Sequence, residues 1–152
     1  MQVSIKDNQE VHMAESDMRQ KLVKALVSFD AVPVENKLRS GHPDINAIGF
    51  DIECKWKKFW PDNCDTNPVE FKHPLSLAQG YWLRRRWNKG GYTFVAAQVS
   101  KEWFFFSGET SKDLFGKMTR PEMKDNALFH SVNFNKEGLI TWLNSLCRKE
   151  SN

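Results

Sequence analysis

With 152 residues, of which 40 % are hydrophobic and 12 % aromatic, the chain has the size and composition of one globular domain, not of a disordered, collagen-like or membrane-embedded polypeptide. Its 22 Lys and Arg against 19 Asp and Glu leave a net charge of +3. That sum is too small to mark a nucleic-acid binder, because a basic flank and an acidic pocket cancel in it.

From about Ala14 to Phe29 the apolar residues Met18, Leu22, Ala25, Leu26 and Phe29 recur at helical spacing, with Ser16 or Asp17 available as a cap, so an amphipathic helix is expected. Glu15 lies in line with that apolar stripe. A first-turn glutamate complementing the helix dipole is the plain explanation. Three β-prone stretches follow, Val32 to Leu38, Ile45 to Ile48 and Phe50 to Trp56, and Ile48-Gly49 reads as a two-residue turn. That turn sets Ala47 opposite Phe50, Asn46 opposite Asp51, Ile45 opposite Ile52 and Asp44 opposite Glu53. Side-chain alternation then gives the hairpin an apolar face (Ile45, Ala47, Phe50, Ile52, Cys54, Trp56) and an ionic one (Asp44, Asn46, Asp51, Glu53, Lys55).

After a loop from about Lys57 to Pro74, Ser76 caps a helix to about Asn88 that Gly90-Gly91 stops. Strands are expected over Tyr92 to Val99 and Glu102 to Phe106. Trp103-Phe104-Phe105-Phe106 is apolar on both strand faces, which predicts burial on both sides. The stretch Lys112 to His130 has no decisive period, and a last helix runs from about Lys136 to Leu146. The order predicts an α/β fold, a central mixed β-sheet flanked by α-helices. We read one domain, with its core at about 14–106 and a C-terminal extension at 107–152.

Asp44 and Glu53 across a hairpin hold their Cβ atoms about 5 Å apart and repel unless a cation sits between them. Two carboxylates sharing a hard ion, with positions left for water and phosphate oxygens, describe a Mg²⁺ site for phosphodiester chemistry. Lys55, on the same face, can orient a water and stabilise charge on the scissile phosphate. The competing reading is a solvated strand face carrying a Glu-Lys pair. Gly41, in Ser40-Gly41-His42-Pro43-Asp44, lets backbone pass close to a ligand such as a phosphate. Pro43 fixes the entry angle of Asp44.

Gly41-His42-Pro43-Asp44, Glu53-Cys54-Lys55, Leu75-Ser76-Leu77-Ala78-Gln79 and Gly90-Gly91 together resemble the PD-(D/E)XK nuclease superfamily, and within it the small virus-type replication-repair (VRR-NUC) group. Archaeal-type Holliday-junction resolvases share much of this pattern. The similarity spans about Glu15 to Val99; the long loop from Lys57 to Pro74 and everything after Val99 lie outside the family pattern. The resemblance implies a restriction-endonuclease-like core in which Asp44 and Glu53 are metal ligands for Mg²⁺ or Mn²⁺. It further implies that the Cys54 carbonyl completes the coordination and that Lys55 is the catalytic lysine. Glu15 would stand near the metal directly or through water, and Gln79 would support the site.

Lys57, Lys58 and the run Arg84, Arg85, Arg86 lie among Trp56, Trp60, Trp82 and Trp87. Cations for phosphates and rings for unpaired bases both suit branched or single-stranded DNA, although core tryptophans and a solvated arginine face explain the same residues. The expected activity is a metal-dependent DNA endonuclease, structure-selective for flaps or Holliday junctions, in phage or mobile-element replication and repair. A restriction-type enzyme and a non-catalytic DNA-binding module are the alternatives. Resemblance points to a homodimer, and no organic cofactor is expected. Cys54, Cys64 and Cys147 are odd in number and widely spaced, so a reducing compartment without disulfides is expected. Zinc held by Cys54, Cys64, His73 and His42 has poor spacing. The polar N-terminus and the lack of any long apolar run predict a cytoplasmic protein that does not enter a membrane.

Overall fold

The computed structural model describes residues 5–34 and 41–147. Its elements are α1 (Ile5–Ala25), a 3-10 turn (Val27–Phe29), β1 (Val32–Pro33), β2 (Ile45–Ala47), β3 (Phe50–Lys57), α2 (Leu77–Asn88), β4 (Tyr92–Val99), β5 (Glu102–Ser107), α3 (Gly108–Leu114), α4 (Arg120–Asn126), β6 (Phe129–Ser131) and α5 (Lys136–Cys147). The strands form one sheet in chain order, β1 to β6. β3 and β4 are parallel and every other neighbouring pair is antiparallel. The protein is therefore an α/β fold with a mixed six-stranded sheet. Among the described residues no helix is long and apolar enough to cross a membrane.

The β2–β3 hairpin has the register that its turn dictates: Ala47 pairs with Phe50, Asn46 with Asp51 and Ile45 with Ile52. Its apolar face, Ile45, Ala47, Phe50, Ile52 and Cys54, is buried with Met18 and Leu22 of α1, Leu26 just after it, and Leu139 and Leu143 of α5. The other side of the sheet holds Val95, Ala97, Val99, Phe104 and Phe106 against Leu83 of α2 and Met123 of α4. Helices thus cover both faces. Trp103 and Phe105 enter one core and Phe104 and Phe106 the other, as a strand apolar on both sides requires.

Several boundaries move. The first helix starts at Ile5, not Ala14, so Ser16 and Asp17 lie inside it and cap nothing. Residues 5–13 bury only Val11; a turn held by surface ion pairs carries no apolar stripe to read. The helix stops at Ala25, ahead of the expected Phe29, and Asp30 follows in the left-handed region at φ 53°. β1 is confined to Val32–Pro33, and residues 35–38 of the expected strand lie outside the described residues. β2 ends at Ala47, β3 runs on to Lys57 and β5 to Ser107. Within Lys112 to His130 lie the end of α3, all of α4 and the start of β6. α4 has a capping box from Thr119 and Glu122, a local signal that a search for apolar periods does not weigh. The segment after residue 106 supplies the sixth strand and α5, whose Leu139 and Leu143 belong to the same core as α1.

A polar clamp joins these later elements to β5. One oxygen of Glu102 accepts a hydrogen bond from Arg120 at the start of α4, and the other pairs with His130 Nε2 of β6 at 2.9 Å. Arg120 also stacks 4.3 Å over the Trp60 ring. Burial alone would raise the Glu102 carboxyl, but the His130 hydrogen bond and the Arg120 charge outweigh it and hold it below its ordinary value of 4.5. A depressed carboxyl stabilises fully above its unfolded value and loses that contribution as pH falls through the folded one. Glu102→Gln is therefore expected to cost about 2 kcal/mol at neutral pH. The gap to wild type should close below about pH 4.5, and urea unfolding of both proteins across that range measures it.

Candidate active site

β2 begins only at Ile45, so among the described residues no strand lies beside the outer edge of β3 beyond Ile52. Asp44 fills the gap: its Oδ2 accepts the Cys54 N–H at 2.8 Å, while its own carbonyl accepts the Val34 N–H at 2.9 Å. Both backbone polar groups of a strand residue point to the same side, so the Cys54 carbonyl faces this open edge as well. α1 packs against the apolar face of β3, and its Glu15 lines the same cavity as Asp44 and Glu53.

On the other side of β3, Glu53 and Lys55 lie in register with Val95 and Ala97 of β4. They are 3 % and 4 % exposed, which removes the solvated-face reading of this half of the strand. Lys55 Nζ stands 3.6 Å from Glu53 Oε1 and 3.4 Å from both Gln79 Oε1 and the Pro74 carbonyl. Gln79 ties the pair to α2. Its Nε2 donates to Glu53 Oε1 at 2.9 Å, and its Oε1 accepts the Ser76 N–H at 2.9 Å, completing the capping box that starts the helix. One side chain thus caps a helix and orients a buried carboxylate.

Glu15, Asp44, Glu53, Lys55 and Gln79 all line one cavity of about 370 Å³. Also on its wall are His12, Ser16, Arg19 and His73, which the sequence reading did not select. The α1 members fall at 12, 15, 16 and 19, a single helical stripe; only His12 lies ahead of the expected helix start at Ala14. Glu15 Oε2 lies 3.7 Å from His73 Nδ1, and the His73 and His12 rings are 4.6 Å apart. Burial first, then His12 and Lys55, hold His73 below its ordinary value.

The Cys54 thiol reports the local charge. Burial pushes it well above its ordinary value, and Asp44, Glu53 and Glu15 push it further in that order. It stays protonated and is no nucleophile. Glu15, Asp44 and Glu53 line this one cavity, and carboxylate and carbonyl oxygens are the donors that Mg²⁺ or Mn²⁺ takes, with water filling the remaining positions. Among the described residues no three His, Cys, Asp or Glu side chains already stand grouped as a metal cage. A cation here would be held by two or three carboxylates and its own waters. Zinc is excluded from the proposed thiol set, since Cys54 and Cys64 lie in the cores on opposite sides of the sheet.

The remaining expected residues are placed elsewhere. Asp51 lies at the far end of β3, in a hollow with Arg86, Gly90 and Gly91; burial raises its carboxyl although Asn46 donates to it at 2.7 Å. Arg84 pairs with Asp113 at 3.0 Å, Arg85 is exposed, and Arg86 lies 5.1 Å over the Trp82 ring. None of these three arginines lines the carboxylate cavity. Lys57 and Lys58 line an adjoining hollow. Gly41, at φ +90°, closely approaches the protein's own backbone: a Cβ there would sit 2.5 Å from the Ala78 carbonyl oxygen. Its tight contact is therefore with the first turn of α2, where a phosphate was expected.

No protein-family model matches the chain, and no curated protein matches it.

Proposed function

We propose that the protein is a Mg²⁺- or Mn²⁺-dependent endodeoxyribonuclease of the PD-(D/E)XK kind, acting as a homodimer on branched DNA in phage or mobile-element replication and repair. One observation carries the reading. Val95 and Ala97 continue an apolar core on the face where Glu53 and Lys55 interrupt it. Burying two charges costs more than burying two apolar side chains, so this local violation is the kind that a working site retains.

The bound ion would supply Lewis-acid polarisation of a phosphoryl oxygen and lower the pKa of a coordinated water. Asp44, Glu53 and Glu15 would hold it, with the Cys54 carbonyl on the same edge. The Lys55 ammonium would donate to the attacking water or to a non-bridging phosphate oxygen, and stabilise negative charge as it develops. Gln79 would position both Glu53 and Lys55 from the rigid start of α2.

A cleavage panel of flaps, four-way junctions and linear duplex, run with Mg²⁺, Mn²⁺ or EDTA, tests this. Branched substrates should be cut, EDTA should stop cutting, and Asp44→Asn should lower the rate by about two orders of magnitude or more. Asn can still accept the Cys54 N–H, so the variant should fold. Preference for one linear sequence would substitute the restriction-type enzyme. DNA binding with no cleavage under either metal would leave a non-catalytic module on this fold.

A further inference from the structure

The carboxylate cavity has a neighbour. A second hollow of about 310 Å³ opens between α1 and the end of β3. Val11, Lys57 and Lys72 line it, and their near neighbours in the chain, His12, Lys55 and His73, line the first. Lys55 and Lys57 are about 7 Å apart along the strand. That is the rise of about two stacked nucleotides.

The chemistry of this hollow differs from that of the first. Phe59 stands at its rim, 68 % exposed, and Lys58 Nζ lies 5.4 Å over the Phe59 ring. Lys57, Lys58 and Lys72 converge there, and each of the last two faces an α1 carboxylate: Lys58 Nζ is 2.8 Å from Glu10 Oε1 and Lys72 Nζ 3.9 Å from Asp7 Oδ2. Burial and then Lys72 hold Lys57 below its ordinary value, against the pull of Glu70. An anion arriving between these lysines would relieve that crowding.

We propose that this hollow is a nucleotide subsite for one unpaired residue of a single DNA strand, with its base on Phe59 and its phosphates on Lys57, Lys58 and Lys72. Asp7 and Glu10 are the counter-ions that the phosphates displace. A stacked base needs a free aromatic face, and stacking is tolerant of sequence, so the subsite recognises the absence of pairing. Its place about two nucleotides from the cut rests on the nuclease reading above; binding itself does not.

The test separates the two. Binding of a fluorescent oligothymidylate is measured in EDTA by anisotropy, beside a blunt duplex of the same length. Phe59→Ala should weaken oligothymidylate binding by a factor of about 5 to 150 and leave duplex binding unchanged, with Phe59→Trp restoring it. Lys57→Gln and Lys72→Gln should each reduce the salt slope by about 0.7. Glu10→Gln should tighten binding by up to about fivefold. Phe59 is exposed, so an unchanged melting temperature will certify the fold. Equal binding by wild type and Phe59→Ala, or competition by polyglutamate as strong as by unlabelled oligothymidylate, overturns the subsite. Failure of cleavage with Phe59-dependent binding intact overturns the nuclease reading alone.

Discussion

If the protein is the nuclease proposed above, Lys55→Met is expected to lower phosphodiester hydrolysis sharply, and in any case to weaken the fold. Methionine keeps the length of the side chain and removes the ammonium that stands 3.6 Å from Glu53 Oε1. Hydrolysis should fall by about 10²- to 10³-fold, the usual cost of losing a group aimed at developing charge. Removing one member of a fully buried ion pair costs about 3–5 kcal/mol; the cavity beside Glu53 admits water, so about 2 kcal/mol is expected here. A divalent cation should return that stability, because a ligand that binds only the folded state adds about 2.7 kcal/mol at a hundredfold excess over its Kd. Thermal melts of wild type and Lys55→Met with Mg²⁺ and with EDTA give the result without any substrate. If Mg²⁺ raises the melting temperature of neither protein, the carboxylates are not a cation site and the mechanism fails with them.

Gly41→Ala should be nearly as damaging although it touches no reacting group. At φ +90° alanine is strained, and its Cβ would meet the Ala78 carbonyl oxygen at 2.5 Å and the Gln79 nitrogen at 3.2 Å. Strain costs about 1 kcal/mol, and backbone displacement brings the total to about 2–4 kcal/mol. The displacement acts on both walls of the site. Gly41 leads through Pro43 to Asp44, and Ala78-Gln79 is the first turn of α2, so hydrolysis should fall further than stability does. Gly90→Ala is the control: its φ is +97°, but nothing lies within 4 Å of its Cβ position, and only the strain should appear. Equal melting temperatures for the two variants would mean that the contact with α2 plays no part.

These variants bear on residues that were unequally legible in the sequence. The β2–β3 register could be read because a two-residue turn leaves one pairing and a period of two leaves one assignment of faces. Ser76 was legible as a cap, whereas its partner Gln79 was singled out only by the family resemblance; in the structure Gln79 completes the capping box and donates to Glu53. The polar first turns of α1 were not legible, since they are held by side-chain pairs to Lys58 and Lys72 from distant parts of the chain. With them His12 was missed. His73 lies in a loop with no period, and only the folding of that loop against α1 brings it to Glu15.

Local chemistry was enough to put Glu53 and Lys55 on one strand face, because alternation acts over a few residues; Asp44 lies ahead of β2 and is not paired opposite Glu53 as expected, and its carboxylate instead reaches the Cys54 N–H. Length and composition pointed to a globular domain, and the order of the expected elements to the α/β fold that the structure has. The net charge of +3 said nothing of how its members are shared out. Tertiary structure decided that Glu53 and Lys55 are buried, not solvated, because α2 and the Pro74 loop close over β3 from far along the chain. It also placed Lys57, Lys58 and Lys72 beside one another while Arg84 was drawn off to Asp113. Burial and long-range charge pairing depend on which distant surfaces meet, and no local pattern in the chain contains that information.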